Sequence, residues 1–233
     1  MKNIIVALDN MSVKEAFDLT DRIKEYIWGV KLNDLIDREG VDIITDFKMK
    51  GINVFADPNL KDIPNTVRNR IRHYEGAGAD FVTVIADGGR EMMMAAKESV
   101  KNCKVIGVTL LTSLSIKECN HIYNDVPIQI VERFVNDAIY SGLDGVVCSS
   151  HELDCLDRPL DVNRSDYLIA ITPGIRPEWY YTEDDQKRTS RPKTAIRNGA
   201  DYLVIGRPIT QAINPSLAAR LTYEEVNSID YLC

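Results

Sequence analysis

Asn3-Ile4-Ile5-Val6-Ala7-Leu8-Asp9, followed across Asn10 and Met11 by Ser12-Val13-Lys14-Glu15-Ala16-Phe17-Asp18-Leu19, is one complete unit of a pattern that recurs along the chain. A short apolar run closes on a polar residue, and an amphipathic stretch follows. Ser12 and Glu15 stand at the spacing of a capping box, in which each side chain takes up the other residue's free backbone N–H, so a helix is expected from Ser12 to Tyr26. Equivalent apolar runs lie at Ile27 to Leu32, Ile52 to Asp57, Phe81 to Ile85, Lys104 to Leu110, Gly145 to Cys148, Tyr167 to Ile171 and Tyr202 to Ile205. Strands buried on both faces read as continuous hydrophobic runs, and alternation with helices implies a parallel sheet. Eight such units predict an α/β protein, a (β/α)8 TIM barrel, formed as a single domain over residues 1–233. An open doubly wound sheet is the alternative. It would carry a G-x-G-x-x-G turn after its first strand, where this chain has Leu8-Asp9-Asn10-Met11-Ser12.

The length of 233 residues is close to the roughly 250 of one such barrel, and no Pro/Gly/Ser-rich linker or low-complexity tract divides it. A 45% apolar and 27% charged composition suits a packed core. The net charge of −7 argues against a general nucleic-acid binder, whose affinity comes from cations neutralising phosphates. The five cysteines are odd in number and lack C-x-x-C spacing, so they read as reduced thiols. The apolar run at the N-terminus is too short for a secretory signal, and no stretch has the length of a membrane span, which predicts a cytoplasmic protein that engages no membrane. His73, His121 and His151 are isolated and lack ligand spacing, so no metal is expected.

In barrels of this kind the chemistry sits where the strands end. The residues closing the apolar runs are Asp9, Lys31, Asp57, Asn59, Asp62, Thr112, Arg176 and Arg207. Gly206-Arg207 places a backbone amide and a guanidinium at the end of the last strand, and Arg176 ends the one before it. Together they can hold a phosphate dianion. Thr112, Ser113 and Ser115 offer hydroxyls after the fifth strand, although hydroxyls in such places also cap helices. Residues 177–188 contain Trp179, Tyr180 and Tyr181 and then an acidic run without apolar periodicity, the mark of a long functional loop.

The stretch Asp57-Pro58-Asn59-Leu60-Lys61-Asp62-Ile63-Pro64-Asn65-Thr66 resembles the D-x-K-x-x-D-I-P-N-T signature of the orotidine 5'-monophosphate decarboxylase family. The resemblance continues, in the family's order, through Val30-Lys31, Gly107 to Ser113, Ser141 to Ser149, Thr172-Pro173-Gly174-Ile175-Arg176-Pro177, Asp185-Gln186-Lys187-Arg188 and Ile205 to Thr210, and so covers nearly the whole chain. It implies a cofactor-independent lyase that converts orotidine 5'-monophosphate (OMP) to uridine 5'-monophosphate (UMP) and CO2. By this resemblance Arg176, Gln186, Gly206 and Arg207 hold the 5'-phosphate, with Pro173 among the substrate contacts. Asp9 and Lys31 touch the ribose, Lys31 pairs with Asp57, and Thr112 and Ser115 face the pyrimidine, with Ser113 competing for part of that role. Asp62, Ile63 and Thr66 reach into the site of a partner subunit, which implies a homodimer.

Two departures stand out. Asn59 occupies the position of the family's proton-donating lysine, and an amide carries neither a positive charge nor a transferable proton near neutrality. Decarboxylation leaves an electron pair on C6 of the base, so the loss falls on charge stabilisation and protonation. With Lys31 alone facing Asp57 and Asp62, the formal charge of that set drops from zero to minus one. Lys61, two residues on, would share a side with Asn59 in an extended strand, yet it would lie roughly 7 Å further along. A structural or solvated role is expected for it. The second departure is Ile85, in Val84-Ile85-Ala86-Asp87-Gly88-Gly89, where relatives read V-H-A-x-G-G. The competing readings are a phosphosugar decarboxylase or synthase using Mg2+ through a related motif, and a nucleotide-binding barrel that has lost the chemistry.

Overall fold

The computed structural model describes residues 2–157, 168–181 and 189–228. Eight parallel strands close on themselves in chain order: β1 (Ile4–Ala7), β2 (Gly29–Leu32), β3 (Asn53–Leu60), β4 (Phe81–Ile85), β5 (Lys104–Val108), β6 (Gly145–Val147), β7 (Ile169–Thr172) and β8 (Tyr202–Ile205). Each pairs with the next, and β8 returns to β1 with Val204 beside Ile5. The (β/α)8 barrel read from the apolar runs is the fold. Most strands are shorter than those runs, because the flanking residues turn into loops; Tyr167 lies outside the described residues. β3 is the exception and runs three residues further than expected.

The first helix, Val13–Ile23, starts where the capping box put it. The Glu15 N–H donates to Ser12 Oγ at 3.3 Å, and the Ser12 N–H donates to Glu15 Oε2 at 2.9 Å. It ends before Tyr26, whose N–H turns back to the Ile23 carbonyl to lead into β2.

Period-two alternation divides the core. Ile4 and Val6 of β1 face the helices, whereas Ile5 and Ala7 point inside the barrel with Phe55, Phe81, Ile106, Ile171 and Val204. At the amino-terminal end, Trp28 stacks on Phe81 with ring centroids 4.6 Å apart, and Tyr202 meets both edge-on at 5.1 and 5.4 Å. These aromatics come from the starts of alternate strands and plug one end, leaving the other free for a site.

The same turn introduces β4, β6 and β8. Gly78-Ala79-Asp80, Gly142-Leu143-Asp144 and Gly199-Ala200-Asp201 each follow a helix. Gly142 takes a φ of 70°, which a residue with a Cβ adopts at a cost, and Leu143 N–H then closes on the Ala138 carbonyl at 3.0 Å. The aspartate that follows accepts a backbone N–H from the preceding strand: Val54 to Asp80 at 2.7 Å, Val105 to Asp144 at 2.8 Å and Ala170 to Asp201 at 2.7 Å. Lys48 and Lys97 complete two of these clamps, reaching Asp80 at 2.7 Å and Asp144 at 2.6 Å.

Cys103 is buried beside two of the clamps. Burial, reinforced by the negative charges of Glu75, Asp80 and Asp144, pushes its thiol up to about 12. The thiolate is the reactive form, so iodoacetamide at pH 8 is expected to modify Cys103 in the native protein only as fast as the chain unfolds. Mapping of the Cys103 peptide after timed quenching measures this, and labelling at the rate of a free thiol would contradict it.

Candidate active site at the carboxyl end of the barrel

The opposite end of the barrel opens into a cavity of about 610 Å³, a size typical of small-molecule sites. Its apolar base consists of Ala7, Phe55, Val108, Val147 and Val204, and its polar wall comes from the strand ends. Of the residues singled out in the sequence, Asp9, Lys31, Asp57, Asn59, Thr112, Pro173, Arg176, Gly206 and Arg207 all line it.

On one side Lys31 lies between two carboxylates, 3.0 Å from Asp57 Oδ2 and 3.2 Å from Asp9 Oδ1. Lys31 and Asp57 are 13% and 15% exposed while Asp9 is 46% exposed, so Asp9 is the open end of the row. Desolvation alone would lower the Lys31 pKa; the ion pairs with Asp57 and Asp9 outweigh it and hold the ammonium above the usual lysine range. Lys31 is therefore a fixed cation and not a reservoir of easily released protons.

β3 owes its length to a bulge. Ala56 pairs with Val82 and Leu60 with Val84, so three residues of β3, Asp57, Pro58 and Asn59, stand against Thr83 alone. Pro58 fits inside a central strand because the bulge takes its nitrogen out of the ladder. Asn59 has a φ of 51°, the left-handed region that asparagine enters more readily than most residues. Its backbone N–H donates to Thr83 Oγ1 at 2.9 Å, and the Thr83 hydroxyl donates to Asp57 Oδ1 at 3.0 Å. From the β2 side, Asn33 Nδ2 donates to the Asp57 carbonyl at 2.6 Å, and Asn59 Nδ2 donates to the same oxygen at 3.3 Å.

The part of the wall that comes from the ends of β7 and β8 is cationic. Arg207 follows Gly206 directly after β8, and Arg176 follows β7. Arg176 donates its backbone N–H to the Ser190 carbonyl at 2.9 Å, and Ser190 N–H returns to the Gly174 carbonyl at 3.1 Å. Arg191 fastens the same crossing by donating to the Pro177 carbonyl at 2.7 Å. The loop is thus stapled at its base, with Tyr180 5.8 Å from the Arg176 guanidinium. Gln186 lies outside the described residues.

Several expected residues lie away from the cavity. Ser115 caps the helix Ile116–Tyr123, its hydroxyl engaged with Glu118 in a second capping box. Asp62 accepts the Ile63 N–H at 2.7 Å, and Ile63, 67% exposed, points outward beyond β3 with Thr66 in the next helix. Lys61 is half exposed and pairs with Asp87 at 2.8 Å, because the bulge breaks the period-two register that would have aligned it with Asn59. Thr83 and Asn33 were not singled out. The signal for Thr83 was a hydroxyl inside the apolar run Phe81-Val82-Thr83-Val84-Ile85, which in a barrel interior must find a partner.

Comparisons with known proteins bear on the family and the fold. The model of the orotidine 5'-phosphate decarboxylase / HUMPS family matches residues 2–222. The orotidine 5'-phosphate decarboxylase of Nitrosospira multiformis is 37% identical over 230 residues, covering 97% of this chain and 94% of its own length. That of Actinobacillus succinogenes is 39% identical over 224 residues, covering 93% and 94%. Among solved structures, orotidine 5'-phosphate decarboxylase from Lactobacillus acidophilus superposes with a TM-score of 0.82 at 29% identity, covering 98% of this chain and all of that one. The enzyme from Pyrococcus horikoshii OT3 gives 0.77 at 31%, covering 97% and 100%.

Proposed function

Because the chain belongs to the orotidine 5'-phosphate decarboxylase / HUMPS family, we propose that its cavity binds OMP and UMP, and that it decarboxylates OMP in pyrimidine biosynthesis at a rate limited by Asn59. The observation that carries this reading is the joining of two sets in one cavity: an Asp9–Lys31–Asp57 row together with Arg176 and Arg207. A phosphate fits the arginine side, with Gln186 of the loop as a third contact, and ribose hydroxyls fit the open Asp9 end. The orotate carboxylate then faces Asp57 and position 59. Loss of CO2 leaves an electron pair on C6; Lys31 supplies positive charge to that region, while Asn59 contributes an amide N–H and no proton.

The protein is proposed to act in the cytoplasm as a homodimer. The exposed Ile63, with Asp62 and Thr66 outside their own cavity, suits a surface that completes the partner's site. Among the described residues no helix is long and apolar enough to cross a membrane.

Calorimetry with UMP and OMP, together with loss of orotate absorbance with and without Mg2+, tests the proposal. Binding of both nucleotides and slow turnover that is indifferent to Mg2+ are expected. Mg2+-dependent turnover of a sugar phosphate would favour the phosphosugar reading. Nucleotide binding with no turnover even after Asn59→Lys would favour a binding barrel.

A further inference from the structure

The β3 bulge carries Asp57 and position 59 into the cavity, and one hydroxyl spans it. We infer that Thr83 is a positioning residue for the decarboxylation site, fixing Asp57 and residue 59 relative to each other from the neighbouring strand. The inference rests on the functional reading above and adds a residue to it.

The hydrogen atoms in this chain of bonds can be assigned from chemistry alone. The Asn59 amide can only donate and an ionised Asp57 can only accept, so the Thr83 hydroxyl accepts from the first at 2.9 Å and donates to the second at 3.0 Å. Thr83 is fully buried, which leaves no solvent to take over either bond. With Asp57 Oδ2 on Lys31 and Oδ1 on Thr83, both carboxylate oxygens are held and the plane of the group is set. The bond to residue 59 runs through its backbone, so it serves asparagine or lysine alike. It anchors a residue held at a φ of 51° by a ladder that is interrupted at this point, since β4 offers three β3 residues only one partner. Asn33 braces the same turn from β2 but touches only the Asp57 carbonyl, so it holds the backbone and not the carboxylate. A preorganised charge is effective only while it stays in place, and a displacement of about 1 Å can cost roughly a hundredfold in rate.

The test is made in Asn59→Lys protein, where the faster turnover is expected, with Thr83→Val, which keeps the shape and removes the hydroxyl, and Thr83→Ser, which keeps the hydroxyl. Thr83→Val is expected to lower kcat about a hundredfold while the KM for OMP and the Kd for UMP change less than about threefold, and Thr83→Ser to recover most of the loss. A kcat within threefold of the parent, or a parallel collapse of UMP binding, overturns the proposal. Should the valine protein not fold, Thr83→Cys, with a weaker donor, carries the same expectations. A readout that does not depend on turnover is the crystal structure of Thr83→Val in the unaltered chain. The Asp57 carboxylate is expected to rotate and the bulge to shift; an unmoved bulge and carboxylate overturn the inference. If Asn59→Lys protein neither binds UMP nor consumes OMP, the functional assignment fails, and that crystal structure still decides the role of Thr83.

Discussion

Asn59→Lys is expected to raise the rate of orotate loss from OMP about a thousandfold or more, with little change in UMP affinity. Two effects combine. A positioned general acid contributes about 10²–10⁴-fold, and one preorganised electrostatic contact about 10²–10³-fold. The proposed phosphate and ribose contacts lie elsewhere in the cavity, on Arg176, Arg207, Asp9 and Lys31, so binding should follow them and not position 59. The backbone opposes the change: at a φ of 51°, lysine costs on the order of 1 kcal/mol more than asparagine, which settles there more readily. The faster protein should therefore unfold at slightly lower urea. A UV assay and a denaturation curve on the same preparations measure both, and equal turnover by the two proteins would sink the assignment.

Lys31→Met is expected to be the most damaging single change in the site, removing about 3 kcal/mol of stability and nearly all nucleotide affinity. It leaves Asp57, 15% exposed, without its cation and places Asp9 and Asp57 against each other. The pH dependence has a definite sign. The Lys31 pKa is raised in the folded state, so its contribution is fully present below the ordinary lysine value and is lost as pH rises through the folded pKa. The stability gap between the two proteins should thus hold through neutral pH and narrow only on the strongly alkaline side. Urea denaturation from pH 7 upward tests this; a gap that widened with alkali would contradict the pairing.

The barrel was legible because each strand is buried on both faces, and continuous apolar runs such as Phe81 to Ile85 and Tyr202 to Ile205 mark strand positions directly. The cavity wall was legible for a related reason: a polar residue that ends such a run has nowhere to point but the carboxyl end. Periodicity failed at β3. A bulge adds residues without changing composition, so nothing in Asp57-Pro58-Asn59 but the proline announced it, and the side that an extended strand would have given Lys61 and Asn59 in common does not form. Ser115 shows the complementary difficulty. A hydroxyl three residues before a glutamate serves a helix end as well as it could serve a ligand, and here it serves the helix. Asp62, Ile63 and Thr66, expected at a site by resemblance alone, lie outside the cavity of their own chain.

The glycine-to-aspartate turns before β4, β6 and β8 bear on how such a barrel can change over time. Each aspartate binds its strand to the one before it, so β3–β4, β5–β6 and β7–β8 are each secured by their own local fastening at the end remote from the cavity. Residues at the mouth, position 59 among them, can drift, be lost or be regained by mutation while the closure of the ring stays under separate control. A chain with this layout can change a residue at its mouth without forfeiting its architecture.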